Sequence, residues 1–164
     1  NPIHPLPMKI HLLVVGRTVS PPLAALIDDY ATRLHHYVPF TIETIPALKG
    51  TKPLDAARQC QREGEQLLSR LRPDDYVVLL DEGGRQYRSV AFASWLGDKF
   101  QRVPRRLVFL VGGPYGFSPA VRSVARESLS LSSMTFSHQL IRLLFVEQLY
   151  RAMTILKGEP YHHE

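Results

Sequence analysis

The sequence has little cysteine and no long apolar run, and both absences narrow the class of protein. Cys60 is the single cysteine among 164 residues, so no internal disulfide and no cysteine-cluster metal site can form. No apolar run approaches the roughly 20 residues of a membrane-spanning helix, and no cationic leader followed by an apolar segment is present. We therefore expect a cytoplasmic protein that holds no metal and contacts no membrane.

Lysine is also scarce relative to arginine. The chain has 20 Lys and Arg against 15 Asp and Glu, a net charge of +5, and most of the cations are arginines. Arginine binds phosphate through a planar fork of donors, whereas net charge by itself describes only a field around the protein. The composition therefore leaves two readings open, a nucleic-acid partner or a merely basic surface.

Several catalytic signatures are missing as well. A triphosphate-binding loop needs G-x-x-x-x-G-K-[ST], but Phe117 and Ser118 follow Gly116. The dinucleotide fingerprint G-x-G-x-x-G is not matched, because residues 112–116 read G-G-P-Y-G. A nucleophile elbow and His–carboxylate spacings typical of a metal site are absent too. Pyrophosphate ligands, covalent catalysis and metal catalysis are therefore disfavoured.

What the sequence does contain is a regular alternation of strand and helix patterns. The length suits one domain, residues 8–164, preceded by the proline-rich arm NPIHPLP at residues 1–7. Apolar patterns predict strands at 9–16, 40–46, 76–80, 107–111 and 129–131, and helices at 20–36, 54–72, 89–100, 118–127 and 138–157. Such an order predicts an α/β fold, with a parallel sheet covered by helices on both faces.

Two loops follow buried strands and are candidates for ligand binding. Residues 112–116, GGPYG, come after the strand at 107–111, and residues 81–84, DEGG, come after the strand at 76–80. Open parallel sheets bind ligands at the carboxyl ends of their strands, and glycine lets the backbone approach a ligand closely. Without phosphate signatures, these loops suit an adenosine cofactor that lacks pyrophosphate.

Other segments of the chain carry charged or apolar surfaces. A loop with Lys49 and Lys52 either grips phosphate or is solvated, and Arg102, Arg105 and Arg106 form a basic patch or a cationic helix end. The helix at 54–72 is expected to solvate its charged face, which includes Glu63. The helix at 138–157 is apolar around most of its circumference, which predicts contact with a second subunit.

Four segments together resemble the RlmH (YbeA) family of SPOUT-class methyltransferases. They are LVGGPYGFSP at 110–119, LSLSSMTFSH at 129–138, RLLFVEQLYRAMTILKGEPYH at 142–162 and EGEQLL at 63–68. The resemblance implies S-adenosylmethionine-dependent methylation of N3 of a pseudouridine in large-subunit (23S) ribosomal RNA. It also implies a SPOUT-type sheet with a deep trefoil knot in about residues 107–164, and a homodimer that acts on RNA within the ribosome.

The resemblance also assigns site residues by their positions in these segments. It implies cofactor contacts at Leu80, Gly112, Gly113, Gly116, Leu131, Ser132, Ser133, Met134, Thr135 and Phe136. Methyl transfer to N3 displaces a proton, and the candidates that would accept it by family position are His138, Tyr161 and His162. His138 could instead cap the last helix or shape the pocket. Arg142 and Arg151 are expected on the polar side of that helix, where they would orient RNA phosphate or the partner subunit, or, for Arg142, form an ion pair.

Two positions depart from the family pattern. Tyr115 stands where the family usually has an acidic residue, and His163 stands where it often has arginine. Loss of the acidic side chain would change the contacts with the cofactor or the RNA, and loss of the arginine would weaken a contact with an RNA phosphate. These departures keep an alternative open, a non-catalytic dimer of the same fold that binds ribosomes or RNA.

Overall fold

The computed structural model describes residues 8–48 and 55–163, in which five strands alternate with five helices. The predicted order is confirmed, whereas the predicted N-terminal arm and the loop with Lys49 and Lys52 lie outside the described residues. The strands are β1 (Lys9–Val15), β2 (Phe40–Ile45), β3 (Tyr76–Gln86), β4 (Arg106–Val111) and β5 (Glu127–Ser130). The helices are α1 (Pro21–His35), α2 (Ala56–Ser69), α3 (Ser89–Arg102), α4 (Pro119–Val124) and α5 (Leu140–Leu156).

All five strands pair in parallel in one sheet, in the order β2-β1-β4-β3-β5. Successive side chains of β1 point to opposite faces, as in any strand. Leu12 and Val14 enter one core with residues of α1, α3 and α5, whereas Leu13 and Val15 enter a second core with residues of α2 and α4. The predicted α/β class, a parallel sheet with helices on both faces, is confirmed.

The helix starts follow local hydrogen bonds that the sequence shows only in part. Ser20 and Ser118 cap α1 and α4, because each side-chain oxygen accepts a backbone N–H of the first turn. Ser89 does not cap α3. That helix begins at Ser89 itself, and the Ser89 hydroxyl donates to Gln148 Oε1 of α5 at 2.9 Å. A contact 59 residues away therefore replaces the local cap.

Strand β3 continues through the segment 81–84 that was predicted to be a loop, so that prediction is wrong. After a register shift, pairing with β5 resumes at Arg85 and Gln86, opposite Leu129 and Ser130. The backbones come very close at Gly84, where an added Cβ would lie 2.6 Å from the carbonyl of Ser128. Only glycine fits this approach, so Gly84 marks a close contact between β3 and β5 rather than a turn.

Arg142 of α5 ties the last helix to the first strand. Its side chain is only 2% exposed and donates to the carbonyl oxygens of Val15 at 2.8 Å, Gly16 at 2.7 Å and His138 at 2.9 Å. The prediction that it meets RNA phosphate or an ion-pair partner is therefore wrong. The trefoil knot itself stays a prediction, but this contact shows that the chain returns to β1 after β5.

Replacing Arg142 with methionine is expected to lower the free energy of unfolding by about 2 kcal/mol, because three carbonyl oxygens lose a charged donor. Urea unfolding followed by circular dichroism measures the change. Arg126→Met is the matched control, since Arg126 is exposed and its loss should cost less than about 0.5 kcal/mol. Equal stabilities of the two variants would contradict the role assigned to Arg142.

Helix α5 packs in large part against residues of its own chain. Tyr150 lies against Tyr30, Tyr37 and Tyr161, with ring centroids between 4.8 and 6.1 Å apart. Residues 158–163 turn back over the helix, and the hydroxyl of Tyr37 donates to Glu159 at 2.5 Å. The apolar circumference of α5 is therefore explained in part without a second subunit.

The predicted basic patch is neutralised by acidic side chains. Arg106 is buried and donates to Asp75 at 2.6 and 2.9 Å. Arg102 pairs with Asp98 at 2.8 Å and Arg105 with Asp74 at 3.2 Å. These three arginines therefore present little unpaired charge to RNA. Among the described residues, no helix is both long and apolar enough to cross a membrane.

Candidate cofactor pocket

A pocket of about 380 Å³ lies at the carboxyl ends of β3, β4 and β5. Its walls include nearly all of the predicted cofactor contacts, namely Leu80, Gly112, Gly113, Gly116, Leu131, Ser132, Met134, Thr135 and Phe136. Ser133 is not part of the wall and is exposed, because the backbone turns here and Met134 N donates to Ser132 Oγ at 3.0 Å. Two segments far apart in sequence thus meet at one edge of the sheet.

The glycine loop forms one wall and is held by a tight turn. The N–H of Gly116 donates to the carbonyl of Gly113 at 3.1 Å, and Gly116 has φ of +78°, a conformation that favours glycine. An added Cβ at Gly112 would lie 3.0 Å from the carbonyl oxygen of Gly116. The loop therefore favours glycine at position 116 for its backbone conformation and at position 112 for its close packing.

The wall also contains Asp81 and Glu82, which the family resemblance did not assign to the cofactor. Asp81 accepts from Arg122 at 3.3 Å, and Glu82 accepts from the hydroxyl of Thr135. The sequence signal was the acidic pair before two glycines, which was read as a ligand loop. Tyr115 also lines the pocket and is half exposed, so the departure from the family pattern lies at the mouth.

Glu63 of α2 lies behind the glycine loop, and the prediction that it is solvated is wrong. It is 4% exposed, and a Cβ added to Gly113 would lie 2.6 Å from its Oε1 and 2.9 Å from its Oε2. Gln59 donates to Oε2 at 3.3 Å, whereas Oε1 has no hydrogen-bond partner among the described residues. A buried carboxylate therefore packs directly against the pocket wall.

His138 reaches the pocket wall from the start of α5. It does not cap the helix, since the hydroxyl of Ser137 accepts the N–H of Leu140 at 3.1 Å. Desolvation lowers the pKa of His138 below its ordinary 6.5, the charge of Arg142 lowers it further, and Glu63 opposes both. The imidazole is therefore neutral near pH 7 and able to accept a proton.

The other predicted catalytic residues, Arg151, Tyr161 and His162, gather around Glu147. The hydroxyl of Tyr161 donates to Glu147 Oε1 at 3.0 Å, and Arg151 Nη2 donates to the same oxygen at 2.9 Å. Arg151 Nη1 lies 3.0 Å from His162 Nδ1. Burial, followed by hydrogen bonds with Tyr30 and Glu147, raises the pKa of Tyr161. Tyr161 therefore keeps its proton at neutral pH and is suited to donate rather than to accept.

A second cavity of about 390 Å³ lies between this cluster and the first pocket. It shares residues 129–132 and Phe136 with the first pocket, and it is bordered by Glu147 of the cluster. Tyr87, Phe92 and Gln148 also line this cavity, together with Ser89 and Leu144. In one chain, His138 is thus in the first pocket and the other three candidates lie toward the second.

Metal ligation finds no support in this geometry. Within residues 8–48 and 55–163, no three His, Cys, Asp or Glu side chains are grouped so that they could hold a metal ion. Cys60 lies near the glycine loop, with its sulfur 3.6 Å from the carbonyl oxygen of Gly116. Burial raises the pKa of this thiol, and the charge of Glu63 raises it further, so the thiolate is disfavoured.

Comparison with known proteins identifies the family. The model of a family described as "Predicted SPOUT methyltransferase" matches residues 8–162. The chain belongs to this SPOUT methyltransferase family. Proteins named ribosomal RNA large subunit methyltransferase H from Parabacteroides distasonis and Phocaeicola vulgatus are 55% and 57% identical to the chain over 157 residues, 96% of this chain and 100% of theirs. The resemblance to the RlmH family is thereby confirmed.

The fold of this chain is also found in a solved structure. A crystal structure from Bordetella pertussis Tohama I, described as a probable methyltransferase, superposes with a TM-score of 0.53 at 11% identity. The match covers 89% of this chain and 95% of the other. At this identity the likeness supports the arrangement of strands and helices and nothing about the ligand.

Proposed function

We propose that this SPOUT methyltransferase transfers a methyl group from S-adenosylmethionine to N3 of a pseudouridine in large-subunit ribosomal RNA. The observation that carries the proposal is the single pocket formed by all but one of the predicted cofactor contacts. The names of the two relatives supply the RNA class, since both are large-subunit ribosomal RNA methyltransferases. The position on the pseudouridine follows from the RlmH resemblance.

The pocket suits the cofactor in size and chemistry. Its volume of about 380 Å³ lies within the range of small-molecule sites. Leu80, Leu131 and Ile141 provide apolar surface for an adenine ring. Asp81 and Glu82 provide carboxylates for hydroxyl or ammonium groups. The backbone of the glycine loop allows close approach without contact from side chains.

S-adenosylmethionine would supply an electrophilic methyl group on a positively charged sulfur. The chain's own residues contribute alignment and a route for the proton that leaves N3. Neutral His138 on the pocket wall would accept that proton, while Arg142 holds the backbone of His138 in place through its carbonyl oxygen. Arg151 and His162 lie near the second cavity and would orient the RNA.

The protein is further proposed to act as a homodimer. Apolar side chains remain exposed on both α1 and the start of α5, with Leu26 48% and Leu140 39% exposed. Next to Leu140, Gln139 accepts the backbone N–H of Val19 at 3.0 Å, and Val19 is 65% exposed. An apolar surface of this kind is typical of interfaces. Light scattering of the purified protein would give the mass of the assembly.

Two measurements on the purified protein test the function. Calorimetric titration should give binding of S-adenosylmethionine in the micromolar range. Ribosomes from a strain that lacks the enzyme should then gain one methyl group, located by mass spectrometry at N3 of a pseudouridine. Binding without methylation would favour the non-catalytic dimer, and methylation of uridine or of transfer RNA would overturn the assigned substrate.

A further inference from the structure

Glu63 is the feature of the site that the proposed reaction leaves unexplained. Its carboxylate lies flat against Gly113, since an added Cβ would meet Oε1, Oε2 and Cδ at 2.6, 2.9 and 3.1 Å. Gly113 is also a wall of the cofactor pocket. Only the thickness of the glycine backbone therefore separates the carboxylate from the space where the cofactor would bind.

The charge on Glu63 has little compensation from the protein. No ion pair in the described part of the chain includes it, and its one hydrogen bond comes from the neutral amide of Gln59 at 3.3 Å. Leaving a carboxylate buried without a cation is costly. A ligand that offsets this free-energy cost when it binds would bind more tightly, and a cation is the simplest ligand of this kind.

The neighbouring charged groups are already paired or lie farther toward the solvent. Asp81 is paired with Arg122, and Glu82 is exposed and bonded to Thr135. Arg142 donates its hydrogen bonds to carbonyl oxygens. Among the residues that the structure describes, Glu63 is thus a buried negative charge beside the glycine loop without a cationic partner.

The field of Glu63 also extends to the reacting centre. Although desolvation and Arg142 dominate, Glu63 acts on His138 across the pocket and favours its charged form. A proton acceptor must lie within hydrogen-bond reach of N3, and N3 must approach the methyl group it receives. If His138 accepts the proton, the sulfur that carries this methyl group would lie within range of the same carboxylate.

We infer that Glu63 is the counter-charge for the sulfonium of the cofactor and makes the site prefer S-adenosylmethionine over its product, S-adenosylhomocysteine. The inference rests on the proposed function. The two molecules share the adenosine and the ammonium group, but only the substrate carries a positive sulfur. Once the methyl group has left, the attraction to Glu63 is lost, and this difference favours exchange of product for fresh cofactor.

The test compares affinities for both molecules in the wild type and in Glu63→Gln, measured by calorimetry. Glutamine keeps the shape and removes the charge. Loss of a charge–charge attraction that acts across one backbone segment corresponds to about a tenfold change in affinity. We expect S-adenosylmethionine to bind about tenfold more weakly, and S-adenosylhomocysteine to change less than about twofold. Sinefungin, which has a protonated amine near the position of the sulfonium, should behave like S-adenosylmethionine.

Glu65→Gln is the matched control, because Glu65 is on the same helix but exposed, and its affinities should stay at the wild-type values. Equal weakening of both ligands in Glu63→Gln would show that Glu63 only holds the loop, and no weakening would show that its charge is not felt. Either result would overturn the inference. If the wild type binds neither ligand, the proposed function itself fails.

Thermal unfolding of the same variants separates binding from folding. Glu63→Gln should melt no lower than the wild type, since it removes a buried charge that has no cationic partner in the part of the chain that the structure describes. The selectivity is read as a ratio of two affinities within one variant, so a small loss of folded protein cancels. An unchanged ratio in a well-folded variant would contradict the assignment.

Discussion

Replacing His138 with alanine is expected to lower kcat for methylation by at least about 100-fold, the usual contribution of a positioned general base. His138 lines the pocket, is neutral near pH 7 and does not cap α5. The measurement is methyl incorporation into ribosomes under saturating cofactor, with calorimetry to confirm that the variant still binds it. A variant with wild-type kcat would remove His138 from proton transfer.

The same assignment fixes the direction of the pH dependence. Desolvation lowers the pKa of His138 below 6.5, so the folded enzyme keeps the neutral, active imidazole at pH 7. The rate should therefore be insensitive to this group above pH 6.5 and should fall as the pH drops through the lowered pKa. His138→Ala should lose this acidic limb. A limb that persists in the variant would assign the titration to another group.

Replacing Gly84 with alanine is expected to lower the free energy of unfolding by at least about 3 kcal/mol. The new Cβ would lie 2.6 Å from the carbonyl carbon and oxygen of Ser128 and 2.7 Å from the nitrogen of Leu129. These are backbone atoms of β5, so they cannot move aside as a flexible side chain does. Urea unfolding measures the loss, and poor yield of folded protein would agree with it.

Gly83→Ala is the matched control, one residue away. Its Cβ would meet only the carboxylate of Asp81, at the ordinary contact distance of 3.5 Å. We expect its stability to change by less than about 1 kcal/mol. If both variants unfolded at the same urea concentration, the close contact between β3 and β5 would not be the cause of the effect.

Local patterns in the sequence were sufficient to predict the order of elements and several of their starts. Ser20 followed by Pro21, and Ser118 followed by Pro119, carry the N-cap and the first helical residue within a few positions of each other. The run at 107–111 is apolar enough to be a central strand, and it lies between β1 and β3. Signals of this kind need no knowledge of tertiary contacts.

The failures have the opposite character, because each depends on a partner far away in the chain. Glu63 looks solvated on a charged helix but faces Gly113, and Ser89 looks like a cap but bonds to Gln148. The strand β3 continues because β5 pairs with it beyond the register shift. Periodicity within one element cannot show which element covers it.

The candidate site was predictable mainly through the resemblance. The residues alone indicated glycine loops at strand ends and a ligand without phosphate, whereas the pairing of residues 112–116 with 131–136 came from the family. The carboxylates of Asp81 and Glu82 lie on the pocket wall, although the resemblance did not assign them. The roles of Arg151, Tyr161 and His162 stay predictions, since in one chain they gather around Glu147 and do not line the first pocket.

The contact between Arg142 and the end of β1 has a consequence for the order of folding. The two partners are separated by 127 residues, and contacts this distant slow folding because a long loop must close first. The carbonyl groups at the end of β1 therefore cannot accept from Arg142 until α5 has been synthesised. Since the same arginine holds the backbone of His138, the pocket wall that includes His138 cannot be complete before α5 packs against β1.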